Sequence, residues 1–214
     1  MHKRFPVRLT AGLLIAACLT PALQGCFPLA AAGLAGGTMA TTDRRTIGTQ
    51  VEDKTIQAKA VTRIATRFNG VHASVTVFNG RALLTGEAPD DATRRGIERE
   101  VAQIENIKGV LNEIVVDGVS SMANRSNDTL ITGKVKAAMI DAKDVFTNAF
   151  KVTTDRGVVY LMGTVTAREA QRAAEIAADV PGVVKVVKVV DVISEDSLRR
   201  MTLSPAKESS SPRP

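Results

Sequence analysis

The chain is predicted to be an α+β protein built from two tandem α-β-β-α-β units, each a small three-stranded sheet packed by two helices. Three observations carry that prediction. Val75–Gly86 and Val152–Gly163 align without a gap, pairing Gly80 with Gly157, Leu84 with Leu161 and Gly86 with Gly163. Ile107–Val116 and Val180–Val189 align in the same way further on, so the chain carries an internal repeat. Apolar residues then switch between helical and alternating spacing in the same order in both copies. Each copy is roughly 65 residues, which is marginal for an isolated core, and the copies are expected to pack on one another.

Each unit opens with a helix, expected over Asp53–Arg67 in the first copy and Asp128–Ile140 in the second. In the second helix Ile131, Val135, Ala138 and Met139 recur at helical spacing and should face the core. Ser126, Asn127 and Asp128 offer side-chain oxygens for its N-cap. A hairpin follows. Asn79-Gly80, between Val75–Phe78 and Ala82–Gly86, tolerates positive φ at both positions and marks a two-residue turn. Asp155-Arg156-Gly157 occupies the same place in the second copy.

The second helix of each unit starts at a cap. Asp90 or Asp91 serves the first copy, and Thr166-x-x-Glu169 forms a capping box in the second, with Ala170, Ala173, Ala174 and Ala177 behind it. The last strands are Val110–Val116 and Val183–Val192. Gly86 and Gly163 are expected to end strands, and Gly109 and Gly182 to serve as helix C-terminal caps. The glycines of the repeat therefore read as structural.

The N-terminus carries a different signal. Lys3, Arg4 and Arg8 precede an apolar run, Leu9–Leu23, that is too short for a span of about 20 residues. A basic start, a short apolar run and small residues before a cut make a secretory signal. Leu23-Gln24-Gly25-Cys26 resembles a lipobox, which makes Met1–Gly25 the signal peptide and Cys26 the acylated first residue of the mature chain. Ile15-Ala16-Ala17-Cys18 is a poorer candidate, because cleavage there would shorten the apolar run. Several acyl chains on one Cys anchor a protein stably, at about 0.8 kcal/mol per buried methylene. Phe27 in place of Asp at the next position directs the lipoprotein to the outer membrane. The expected organisation is residues 1–25 signal, 26–46 acylated Cys and flexible tether, 47–118 first domain, 124–194 second domain and 195–214 disordered tail.

Composition removes several function classes. The formal charge of the 214 residues is +6, and about +3 remains once the signal's three basic residues leave. That suits an anionic surface without identifying one. Aromatic residues are 3% with no Trp, so a stacking platform for bases is not expected, and nucleic acid is not an expected partner. Cys18 and Cys26 are the only cysteines, and neither would be free in the mature protein, so no disulfide or Cys metal site can form. His72 is the only His after the signal, which excludes a His-rich metal site. No Ser-His-Asp set, phosphate loop or dinucleotide fingerprint is present. Asp90-Asp91 and Glu98/Glu100 read as caps and solvated faces rather than acid/base pairs. No catalysis and no cofactor is expected beyond covalent lipid on Cys26.

The α-β-β-α-β order resembles the BON domain, and a lipoprotein signal followed by two copies resembles the dual-BON lipoproteins. Asp43–Val51 and Ser126–Thr132 look like the segments that open the two domains in that family; Phe150–Thr154 and Val159–Ala170 look like its second hairpin and helix start. The resemblance implies a lipid-anchored protein at the periplasmic face of the outer membrane. It also implies that the second domain binds anionic phospholipid through its first helix, with roles in envelope integrity and at the division site. On this chain the helix offers Leu130, Gly133, Lys134 and Lys136 as the lipid-contacting residues. Relatives can place a Trp where this chain has Leu130, and Leu lacks the polar handle that suits Trp to an interface. The competing reading is a protein-interaction scaffold for outer-membrane assembly factors or cell-wall enzymes. An RNA-binding reading through a KH-like fold needs a GxxG clamp between helices, and Gly33-Leu-Ala-Gly36 lies instead in the tether.

Overall fold

Two tight turns organise the molecule. Asn79 and Gly80 adopt φ of 51° and 77°, and Arg156 and Gly157 adopt 51° and 74°. Positive φ at both central positions is the two-residue turn whose twist matches the strands it joins. The computed structural model describes residues 43–203, with side chains described to residue 201. The expected signal, Cys26, most of the tether and the last eleven residues lie outside the described residues. The described residues belong to one compact unit.

In order, the elements are α1 (Ile47–Arg67), β1 (His72–Phe78), β2 (Arg81–Ala88), α2 (Asp91–Ala102), β3 (Gly109–Asn112) and β4 (Val115–Val116), followed by α3 (Met122–Asp141), β5 (Phe150–Asp155), β6 (Val158–Thr166), α4 (Ala167–Ala178), β7 (Lys185–Ile193) and α5 (Glu195–Leu203). The α-β-β-α-β order thus occurs twice. β1 and β5 run antiparallel to β2 and β6, and β3 and β7 lie parallel to β2 and β6 on the other side. Each helix pair covers one face of its own sheet. Ile56, Ala60 and Ile64 of α1 meet Val75, Val77 and Leu84. Ile131, Val135 and Met139 of α3 meet Val152, Val159 and Leu161.

The opposite faces of the two sheets carry the remaining apolar residues of the same strands, and they pack on one another. Phe78 and Leu83 from the first sheet join Tyr160 and Met162 from the second, with Leu111, Val187 and Val189 around them. β2 is consequently buried along nearly its whole length. A strand covered on both faces cannot alternate apolar and polar residues, which explains Ala-Leu-Leu in the middle of β2. Charged groups rim this junction. Arg81 and Asn79 of the first domain reach Asp191 of the second, both at 2.9 Å, and Arg156 of the second reaches Asp117 of the first at 2.9 Å.

Five expectations are corrected. The opening helices begin six residues earlier than expected, with Thr46 and Ser121 as N-caps. Asp53 and Asp128 are buried one and a half turns inside instead. Their carboxylates accept the backbone N–H groups of the hairpin turns: Asn79 and Gly80 at 2.7 Å, and Arg156 and Gly157 at 2.9 Å. Gly86 and Gly163 lie within strands, where a Cβ would collide with the carbonyls of His72 and Ala149. Gly109 opens β3 and caps no helix, since α2 ends at Ala102. The strand expected over Val110–Val116 is interrupted, because Ile114 turns into the core and its N–H is taken by the Asn112 side chain at 3.2 Å. Beyond β7, Glu195–Leu203 forms α5 where an unstructured tail was expected. The second-helix caps are as read: Asp90 accepts from Thr93 N–H, and Thr166 and Glu169 form the reciprocal box.

Candidate functional site

Helix α3 is assembled so that one side is fully committed and the other is free. Ser121 accepts the Asn124 N–H at 3.2 Å and starts the helix. Ile131, Val135 and Met139 then fall about 100° per residue apart onto the sheet side and are 1%, 0% and 0% exposed. The same phase leaves Leu130, Gly133, Ala137 and Ile140 in one line on the solvent side. Leu130 is 62% and Ile140 63% exposed. Lys134 flanks the line on one side and Lys136 on the other, and neither makes a hydrogen bond or ion pair among the described residues. Among the sequence-predicted residues, Leu130, Gly133 and Lys134 are brought together, and Lys136 stands across the apolar line from Lys134.

The structure adds Ala137 and Ile140 to the face. Sequence reading assigned Ile140 to the helix end and overlooked it. The detectable signal was the i, i+3, i+7, i+10 series from Leu130, which runs parallel to the inward series from Ile131. No side-chain or backbone atom outside the helix lies within 4 Å of a Cβ placed on Gly133. The middle of the stripe is therefore low and open, and a flat surface can approach the backbone there. An exposed apolar ridge between cations is the composition that lies in the boundary between acyl chains and anionic headgroups. Among the described residues no helix is long and apolar enough to cross a membrane.

The segment preceding α1 is fastened to the second domain. The Arg44 guanidinium donates to both carboxylate oxygens of Glu169, at 2.7 and 2.9 Å, and to the Thr164 carbonyl at 2.9 Å. It also lies 5.7 Å from the centroid of the Phe146 ring, which follows α3. Burial pushes the Glu169 carboxyl up, but the Arg44 bonds and the Thr166 amide outweigh it and hold the group below its ordinary value. A bidentate pair of this kind fixes direction as well as proximity. The chain leading to α1 consequently starts beside α4 and the end of α3.

The sheet junction holds a second polar cluster. Glu87 on β2 is fully buried, 3.0 Å from Nδ1 of His72 and 3.7 Å from the Arg156 guanidinium. Burial raises its carboxyl, yet the polar groups of Ser120 and His72 beside it prevail and leave it below the ordinary value. Asp155 is displaced upward, by burial first and by the Glu87 charge second. The cluster reads as part of the domain junction, because Glu87 and His72 lie on the first sheet and Asp155 and Arg156 at the end of the second sheet's hairpin.

Comparison with known proteins gives concordant results. The BON domain family model matches residues 52–118 and 127–194. The outer membrane lipoprotein DolP of Haemophilus influenzae is 35% identical over 170 residues, spanning 78% of this chain and 88% of that protein. A 21 kDa hemolysin of Actinobacillus pleuropneumoniae is 30% identical over 154 residues, spanning 71% of this chain and 79% of that protein. A solved structure of CdsD, a structural protein of the type III secretion system of Chlamydia trachomatis, aligns at 12% identity over 69% of this chain and 97% of that one. Its TM-score is 0.27, too low to bear on fold or function.

Proposed function

The chain belongs to the BON-domain family as a dual-BON, DolP-like protein, and from that premise we propose that it is an outer-membrane lipoprotein that binds anionic phospholipid through its second domain. The role is one of binding rather than catalysis. Cys26 supplies the acylated anchor, and the body faces the periplasm. The observation that carries the reading is the α3 face, a line of Leu130, Gly133, Ala137 and Ile140 between Lys134 and Lys136. Leu130 and Ile140 enter the acyl boundary, and the two lysines meet phosphate. Each lysine near an anionic surface contributes about 1 kcal/mol. The Arg44–Glu169 clasp supports the reading, because it brings the anchored end of the chain to the domain that makes the contact. Support of envelope integrity, including at the division site, follows as the physiological role.

Vesicle co-sedimentation of the unlipidated protein tests it. Binding is expected to require anionic lipid and to weaken with salt, since attraction fades beyond a Debye length of about 8 Å at physiological ionic strength. Lys134→Glu should weaken it about tenfold or more. Equal binding to neutral vesicles, or indifference to Lys134→Glu in a folded protein, would favour a protein-interaction scaffold instead. The anchor is tested separately: mass spectrometry of the N-terminal peptide should find acyl groups on Cys26, and an unmodified start or a start at Cys18 would refute that assignment.

A further inference from the structure

The two domains offer related grooves beside their opening helices, and only one of them is lined by lysines. Where α1 passes β1 and the neighbouring β5, an open groove of about 740 Å³ is lined by Ile47, Val51 and Ala58 together with Lys54, Lys59 and Lys151. The related groove beside α3 holds Ser74 where this one has Lys151 and Thr129 where it has Lys54, and its single guanidinium, Arg125, shares the wall with Asp128 and Asp155. The repeat aligns those positions, so the lysines were placed by sequence on a shared backbone.

The charges in the groove are available. Asp53 is saturated by the turn amides and by Arg45, which lies 2.5 Å from it. Asp43 is likewise held by Arg45 at 2.6 Å. The Lys151 ammonium donates only to the Val77 carbonyl, at 3.3 Å, which leaves two of its protons without a protein acceptor. Lys54 and Lys59 make no hydrogen bond or ion pair among the described residues. Burial first, and then the positive charges of Lys54 and Arg45, push Lys151 down to about 8, against the opposing pull of Asp53 and Asp43. A half-buried ammonium kept among like charges gains from any anion that enters. Ile47 and Val51, 75% and 61% exposed, supply an apolar wall beside it.

We infer that this groove is a second site, separate from the α3 face, for one anionic lipid molecule, with its phosphate between Lys54 and Lys151 and its acyl chain along Ile47, Val51 and Ala58. The inference goes beyond the second-domain reading and stands without it. An inorganic anion would use the lysines and leave the apolar wall bare; a neutral lipid would do the reverse. Only an amphiphile with an acidic head uses both.

The test is an NMR titration of the chain from Cys26 to Pro214, made without acyl groups, with dihexanoyl-phosphatidylglycerol below its micelle concentration. The expected result is saturable shifts of the Ile47 and Val51 methyls and of the Lys151 side chain. The Lys151 titration midpoint should also move upward from about 8 as an anion settles beside it. Lys54→Gln with Lys151→Gln should weaken binding at least tenfold, and Lys151→Arg should retain it, which separates lost charge from lost fold. Lys134→Glu should leave these shifts unchanged, so failure of the α3 reading and failure of this one are distinguishable. Equal affinity for dihexanoyl-phosphatidylcholine, equal effect of inorganic phosphate on the lysine signals, or shifts confined to α3 would each overturn the inference.

Discussion

The two domains share one backbone solution and spend it differently. Both brace their hairpin with a buried aspartate from the opening helix, and both bury the same inward series on that helix: Ile56, Ala60 and Ile64 in one, Ile131, Val135 and Met139 in the other. Outside that series they diverge. The first helix gathers lysines around a groove at the domain junction. The second sets an apolar line between two lysines and turns it outward. Repeat symmetry governs what a unit needs in order to fold, while the solvent side of the helix is free to acquire separate contacts.

The bracing aspartates give the largest expected effects. Asp53→Ala would orphan two turn amides and take from Arg45 one of its two carboxylate partners, leaving Asp43, and Asp128→Ala would orphan two amides alone. At about 1–3 kcal/mol for a buried polar group left unpaired, Asp53→Ala should cost about 3 kcal/mol and Asp128→Ala about 2 in chemical denaturation. If the order reversed, the Arg45 pairing would contribute nothing to the brace. Next is the clasp. Arg44→Ala removes a largely buried bidentate pair and should cost about 2 kcal/mol, below the usual range for fully buried pairs because Arg44 keeps some solvent. Glu169 has its carboxyl lowered, so its contribution is complete above the ordinary glutamate pKa of about 4.3 and is lost as pH falls through the lower folded value. Arg44→Ala should therefore flatten the acid limb of the stability profile. An unchanged limb would show that Glu169 draws its shift from the Thr166 amide alone. The smallest effect belongs to Gly133. Nothing crowds a Cβ there, so Gly133→Ala should raise stability by about 0.5–1 kcal/mol through helix propensity. A fall in stability would mean that the glycine is needed for the fold and not only for close approach.

Much of this was legible in the residues. Asn79-Gly80, the Thr166–Glu169 box and the inward series of α3 each encode their local structure within a few positions, so hairpins, caps and buried faces could be read directly. The helix starts could not. An aspartate ahead of an apolar series has the look of an N-cap, and only the tertiary fold shows that Asp53 and Asp128 serve a turn about 26 residues away. The break at Ile114 was hidden for the same reason: a run of β-branched residues reads as one strand until a core claims one of them. The site was half legible. Leu130 beside Lys134 is a local pattern, whereas the cationic groove is formed by α1 and by Lys151, nearly a hundred positions away from Lys54 in sequence, and no window along the chain contains both.

The absence of Trp from the sequence allows the central comparison to be measured directly. Leu130→Trp and Ala92→Trp each place a single indole at an exposed helix position, one on the proposed membrane face of the second domain and one on α2 of the first domain, the helix that does not line its groove. With anionic vesicles, Trp at position 130 should shift its emission to the blue and become shielded from an aqueous quencher, and salt should reverse part of the change. Trp at position 92 should stay as exposed as in buffer. Equal shifts at both positions, or a shift at 92 alone, would contradict the assignment of membrane contact to the second domain.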